Sequence, residues 1–388
     1  MLNQRRLSFI TLLPIAGWLF FVSACVKSTP PTPTPVSEAT LASEASATTQ
    51  PGETPVALTL TPADTLSPPT PNPAAFKVGY VNDTSDSLAQ PGWAEVQRAA
   101  QEFGWTTQIG PHNVSIEVAV RQLISAGAQI IVAHGDTFAA EMSQVVQTVA
   151  GEFPLVTFVG VNLTFESAPP ANVLALGGAS SRFDQLGFLA GMAAGYATDA
   201  KSVTAITTLS VDGLNYRNGF LHGVRYTCPR CQLQYIDVFD VDHGGAEAAQ
   251  TAALYASISS DVVFAAAGQA GNEALKAAAQ EGAWVIGSGS DVYVTVFENG
   301  VVPGADKTLT SVYFDASAVV YQALVQYHAG APLTGAQPFS AATQAIALAP
   351  YRAVALNTLD QHDLATALAR LAEGSLDTGI DPATGQER

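Results

Sequence analysis

Asp261-Val262-Val263-Phe264-Ala265-Ala266-Ala267-Gly268 opens a stretch that closes on Trp284-Val285-Ile286-Gly287. Short apolar runs bounded by turn residues predict buried strands, and Asn272 to Glu281 between them reads as a helix. The same unit recurs upstream. Phe76 to Val81 predicts a strand ending at Asn82-Asp83, and Trp93, Val96, Ala99, Ala100 and Phe103 fall at helical spacing. Ser115 caps a helix carrying Val118, Val120, Leu123 and Ile124, which Gly127 stops. Ile130 to Val132 is a strand, Phe138 to Val149 a helix and Leu155 to Val161 a strand. Strands alternating with helices predict the α/β class, with parallel sheets covered on both faces. A folded part of about 310 residues is too long for one doubly wound sheet, so two Rossmann-like lobes are expected. Lobe 1 is expected over 76–177, with part of 291–388 returning to it. Lobe 2 is expected over 178–290, with part of 311–350, the chain crossing three times.

Ligands of such sheets sit at the carboxyl ends of the strands, so the loops after each strand are the candidate site. They are polar: Asn82-Asp83-Thr84-Ser85-Asp86, His134-Gly135-Asp136-Thr137, Asn162, Gly268-Gln269-Ala270-Gly271-Asn272 and Gly287-Ser288-Gly289-Ser290-Asp291. Glycines there let a ligand approach backbone N–H groups, while acids and amides suit hydroxyl or amine donors better than phosphate. Asp83, Asp136 and Asn272 could equally serve as helix caps.

The 388 residues carry 16 Lys plus Arg against 33 Asp plus Glu, a net charge of −17. No basic patch breaks that acidity, which excludes nucleic acid as a partner and a polybasic hold on anionic lipid. At the N-terminus, Arg5 and Arg6 precede the apolar run Leu7 to Val22, which meets Ser23, Ala24 and Cys25. That order predicts a secretory signal over 1–24. Val22-Ser23-Ala24-Cys25 looks like a bacterial lipobox, in which Cys25 carries the lipid. Residues 26–75 hold 11 of the 23 prolines and no aromatic residue. Such a stretch cannot bury enough apolar surface to offset its ordering entropy, so 25–75 is expected to be a disordered tether.

No catalytic constellation emerges: the six histidines are dispersed, and HExxH, GxSxG and GxGxxG are all missing. Asp240, Asp242 and Gly244 imitate a calcium loop, but Thr251 stands where a bidentate Glu is required. Asp242 then reads as a helix cap. Cys228-Pro229-Arg230-Cys231 could be a redox motif, half a zinc site or a short-loop disulfide. Zinc lacks two further ligands, and a redox site should open a helix, whereas a strand, Leu233 to Val238, follows. Outside the cytoplasm a disulfide is favoured. Neither cofactor nor metal is expected, and the reading is a binding protein rather than an enzyme.

An ordered set of segments carries a resemblance. Gly187-Phe188-Leu189-Ala190-Gly191, Asn215-Tyr216-Arg217-Asn218-Gly219-Phe220 with Gly223-Val224, Asp261 to Gly268, Gly271-Asn272, Trp284 to Gly287 and Leu309-Thr310-Ser311-Val312 follow one another at family spacing. The chain resembles the basic membrane protein family of ABC-transporter substrate-binding lipoproteins, whose better-known members bind purine nucleosides. The resemblance implies a type I periplasmic-binding architecture, a small-molecule ligand between the lobes and an ABC permease as partner. It also implies a monomer held by lipid on the extracytoplasmic face of the cell membrane. The alternative is a ligand-sensing lipoprotein that signals to a membrane partner without transport.

The chain departs from the family in its first loop, where Leu88-Ala89 replaces a Phe-Asn pair. Asn162 replaces a carboxylate, Gly287-Ser288-Gly289-Ser290-Asp291 keeps only the second of two acids, and Phe314 stands where a basic residue is usual. Trp93 and Tyr216 are then the expected stacking aromatics. Asn82, Asp83, Asp86, His134, Gly135, Asn162, Gly268 and Asp291 complete the expected ligand set.

Overall fold

The apolar run at Lys77–Asn82 forms β1, every residue after Lys77 buried, and it organises the first sheet. The computed structural model describes residues 76–82, 91–135, 138–165, 167–178, 180–353 and 355–388. The expected signal peptide and tether, Cys25, Asp83, Asp86, Leu88-Ala89 and Asp136-Thr137 lie outside the described residues. After β1 come α1 (Pro91–Phe103), β2 (Thr106–Ile109), α2 (Ile116–Ser125), β3 (Ile130–His134), α3 (Ala139–Glu152), β4 (Thr157–Val161) and β5 (Val173–Leu176). Ser115 caps α2 by accepting from the Val118 N–H. The second series is α4 (Phe183–Ala197), β6 (Ser202–Thr208), α5 (Val211–Thr227), β7 (Gln232–Val238), α6 (Gly245–Ile258), β8 (Val262–Ala266), α7 (Gly268–Gln280) and β9 (Trp284–Ser288). It continues through α8 (Val292–Thr295) and β10 (Thr308–Phe314). Then follow α9 (Ala316–His328), β11 (Gly335–Gln337), β12 (Ile346–Leu348) and α10 (Thr358–Ala372).

Two six-stranded sheets result, ordered β11-β5-β4-β3-β1-β2 and β12-β10-β9-β8-β6-β7. All neighbours are parallel except β12, which runs antiparallel to β10. In each sheet the order reverses once, beside β1 and beside β6. Such reversals splay the following loops apart and open a crevice at the strand carboxyl ends.

Core packing shows which lobe owns each late element. Val319, Val320, Ala323 and Leu324 of α9 pack with Val78, Tyr80 and Trp93 in lobe 1. Leu364, Ala367 and Leu371 of α10 pack with α4 and α5 in lobe 2. Residues 291–314 thus stay with lobe 2, 316–337 return to lobe 1, and 346–372 rejoin lobe 2. The chain crosses after β5, after β10 and after β11.

Helix α4 is buried along nearly all its length and meets α5 backbone to backbone. A Cβ on Gly191 would lie 2.1 Å from the Phe220 carbonyl oxygen, and one on Gly223 would lie 2.0 Å from that of Phe188. Gly187 and Gly219 are equally confined. The segments that carry the family resemblance in this region are therefore packing residues. At the far end of α5, Cys228 and Cys231 are joined by a disulfide with Cα atoms 5.4 Å apart. In the turn before α6, Asp240 rather than Asp242 accepts backbone N–H groups, from Asp242 and His243, and Gly244 is the cap residue.

Two measurements check this packing. Gly191→Ala forces the α5 backbone to move and should cost about 2–3 kcal/mol or more in a denaturant titration. Gly151→Ala, an exposed helical site with nothing within 4 Å, should be neutral or gain up to about 1 kcal/mol. Thiol titration of the denatured, unreduced protein should detect no free thiol at Cys228 or Cys231.

Candidate ligand cleft

Asn82 and His134 end the paired strands β1 and β3, side by side in register, and both are buried. The His134 ring is held through Nδ1, 3.2 Å from the Tyr80 hydroxyl. Gly135 is required by packing, because a Cβ there would sit 2.6 Å from Leu163 and 2.9 Å from Ala139. Asn162 follows β4 directly with φ at 56°, a left-handed conformation that asparagine accepts more readily than most residues. Its side chain is exposed beyond the strand end.

Two adjoining cavities lie where these strand ends face lobe 2. The first, of about 300 Å³, is lined by His134 and Asn162 from lobe 1. Gly289, Ser290, Asp291, Tyr313 and Phe314 line it from lobe 2, and residues 315–317 from the start of α9. The second, of about 260 Å³, is lined by Asn162, Thr164, Gly178, Ser181, Phe183, Asp212, Phe314 and Phe339. Asn162 and Phe314 belong to both. Cavities near 300 Å³ lie at the lower end of the range for small-molecule sites.

Of the expected residues, His134, Asn162 and Asp291 line this space. Trp93 and Tyr216 do not. Trp93 sits in the lobe 1 core with Val96 and Ala99, its ring 5.6 Å from that of Tyr80. Its helical spacing had that meaning. Tyr216 is buried behind the wall, its ring 5.3 Å from Phe183 and 6.0 Å from Phe264. Burial pushes its phenol pKa well up, and the nearby Asp212 carboxylate adds to the shift. The aromatic lining comes from Tyr313 in the first cavity and from Phe183, Phe314 and Phe339, whose ring centroids lie 5.1 Å apart for the first pair and 5.3 Å for the second. Gly268, at φ 56°, starts α7 beside Val241 rather than at either cavity.

The missed residues had faint signals. Phe314 occupies the family's basic position, and Asp212 lies one helical turn before Tyr216. Phe183 simply opens α4.

Three carboxylates line the cavities. Asp291 caps α8 by accepting from the Tyr293 N–H at 3.1 Å, and its other oxygen accepts from Arg352, whose guanidinium lies 4.1 Å over the Tyr293 ring. Asp315 caps α9 through the N–H groups of Ser317 and Ala318. Asp212 has no hydrogen-bond or ion-pair partner among the described residues. Desolvation by the surrounding wall nevertheless raises its pKa. The Tyr313 phenol is raised by burial first and by the charges of Asp315 and Asp291 second. The lining is thus aromatic and acidic, and suits a neutral or cationic ligand rich in donors. Among the described residues, no group of His, Cys, Asp and Glu could hold a metal, and no helix is long and apolar enough to cross a membrane.

Two doubly wound lobes, joined by three crossings and enclosing a lined cleft at their strand ends, define a two-lobed ligand-binding protein. Residues 74–348 match the Bmp family model, described as ABC transporter substrate-binding protein PnrA-like, and the chain belongs to that family. It is a substrate-binding protein of an ABC transporter, working outside the cytoplasm with a small ligand and a permease as partners. Solved structures share the fold. A transcriptional activator of the comK gene from Bacillus halodurans is 16% identical with a TM-score of 0.61, over 77% of this chain and 99% of that one. A solute-binding protein of an ABC transporter system from Conexibacter woesei is 21% identical with a TM-score of 0.58, over 78% and 98%. One from Aeropyrum pernix is 16% identical at 0.50, over 80% and 84%. No curated protein matches the chain.

Because Asp291 is both cap and ion-pair partner, Asp291→Ala should lower the stability of the ligand-free protein by about 1–2 kcal/mol. Asp291→Asn, which keeps a capping oxygen, should lose less. Denaturant midpoints of the two variants check the order.

Proposed function

We propose that the protein is a lipid-anchored receptor that captures a purine nucleoside, or a similar purine compound, for an ABC importer. In this reading 1–24 is the signal peptide, Cys25 carries the lipid, and 25–75 tethers the lobes to the extracytoplasmic face of the membrane. The observation that carries the ligand class is the pair of adjoining cavities, whose linings combine three phenylalanine rings with hydrogen-bonding groups. A planar base gains from offset aromatic contact, and a ribose gains from acceptors such as His134, Asn162 and Asp291. Asp83 and Asp86, which follow β1 in the sequence, are further candidate acceptors in this reading. An anion such as a phosphate ester would face Asp212, Asp291 and Asp315 unaided, since Arg352 is already paired with Asp291.

Mass spectrometry of the ligand released from purified protein tests the class. A co-purified purine is the expected result, and a sugar or amino acid would overturn it. Cys25→Ala should release the protein from the membrane fraction, and equal retention of variant and wild type would refute the anchor.

A further inference from the structure

Three carboxylates line the cleft, and the fold already uses two of them. Asp291 holds the start of α8 and Arg352, and Asp315 holds the start of α9. Asp212 does neither. It lies in the first turn of α5 and shares the lining of the second cavity with Phe183, Phe314 and Phe339, and with Asn162, Thr164 and Ser181. Its side chain is exposed to the open cleft, so a ligand reaches it without displacing any protein partner.

A carboxylate beside an aromatic wall has a definite preference. Its two oxygens lie in one plane and accept two parallel N–H groups from a single ring edge, the geometry that makes bidentate pairs strong. We infer that Asp212 is the specificity-determining residue of this cleft, and that it selects a planar ring whose edge presents two adjacent N–H donors. This rests on the nucleoside reading above. Among purines, guanine presents that edge through its ring N1–H and its exocyclic amine. Hypoxanthine presents the N1–H alone. Adenine sets a bare ring nitrogen beside its amine, so one carboxylate oxygen would face a lone pair. The partial desolvation that raises the Asp212 pKa also favours this arrangement, because it rewards a paired carboxylate over an unpaired one.

Calorimetric titration of the full chain with guanosine, inosine and adenosine tests the assignment, on wild type and on Asp212→Asn. Wild type should bind guanosine about tenfold or more tightly than adenosine, with inosine between them. Asp212→Asn should weaken guanosine by about tenfold while leaving adenosine within about threefold, because an amide offers one acceptor and one donor. Asp212→Ser, which also removes the carboxylate and leaves the Ser210 cap in place, should give the same loss of guanosine preference if the asparagine variant folds poorly. Equal binding of guanosine and adenosine by wild type, or undiminished guanosine binding by the variants, overturns the role of Asp212 and leaves the nucleoside reading standing. If wild type binds none of the three, the nucleoside reading falls and the assignment of Asp212 falls with it.

Discussion

The backbones of α4 and α5 touch, and most of lobe 2 is arranged around that contact. Four glycines, 187 and 191 on one helix and 219 and 223 on the other, leave room for carbonyl oxygens where side chains would stand. Close approach of this kind fixes rotation and register together, because a slip of one residue would bring a Cβ into a carbonyl. The start of α4 has a second anchor. Asp184 is wholly buried and accepts two hydrogen bonds from Arg182, both at 2.8 Å, and one from Thr378. Removing the partly exposed Arg182 would leave the buried Asp184 carboxylate with only Thr378 as a side-chain partner among the described residues, a larger loss than the pair itself contributes. Near the start of each helix, Phe183 and Asp212 are delivered to the cavity wall.

The C-terminal segment reinforces the same helix. Asn215 donates to the Pro382 carbonyl at 2.9 Å, Asn218 donates to that of Gly385 at 2.6 Å, and His222 lies 2.7 Å from that of Thr378. Asn215, Asn218 and His222 of α5 are thus spent on holding the chain end, and Arg217 pairs with Asp237 of β7. This explains why a run of Asn, Tyr, Arg and Asn within a ligand-binding protein does not itself line the cleft. Tyr216 fills the space between that helix and the sheet, and Phe183 covers it on the cavity side.

What could be read from the sequence follows from how local each determinant is. Buried parallel strands announce themselves as short apolar runs, and the helices between them by their spacing, so β1, β3, β8 and β9 were legible within a residue or two. The strand-end loops were legible for a topological reason, which brought His134, Asn162 and Asp291 into view. The aromatic lining was not. Phe183, Phe314 and Phe339 lie far apart in the chain and meet only because three crossings converge, a non-local fact without periodicity. Trp93 shows the reverse hazard: it sits close to a candidate loop in sequence, yet the helix that carries it turns the ring into the core. The glycines of α4 and α5 were visible as family motif, but their role as a backbone contact required coordinates.

The three crossings also bear on how such a cleft would work. The segments are tied to one another: Gly177 donates to the Gln337 carbonyl at 2.9 Å, Arg182 to that of Phe339 at 2.8 Å, and Asp315 to that of Ala345 at 2.6 Å. Phe183, Phe314 and Phe339 stand on or beside these segments, whereas His134, Asp212 and Asp291 belong to β3, α5 and the turn before α8. A hinge rotation about the crossings moves distant groups most and adjacent groups least. Under such a rotation the aromatic floor keeps its shape while the polar groups converge. Apolar burial would then be available to a ligand in the open form, and hydrogen bonds would be completed on closure. Such a division would let a ligand dock against the apolar floor before its polar groups are read, and would place discrimination in the step that brings the lobes together.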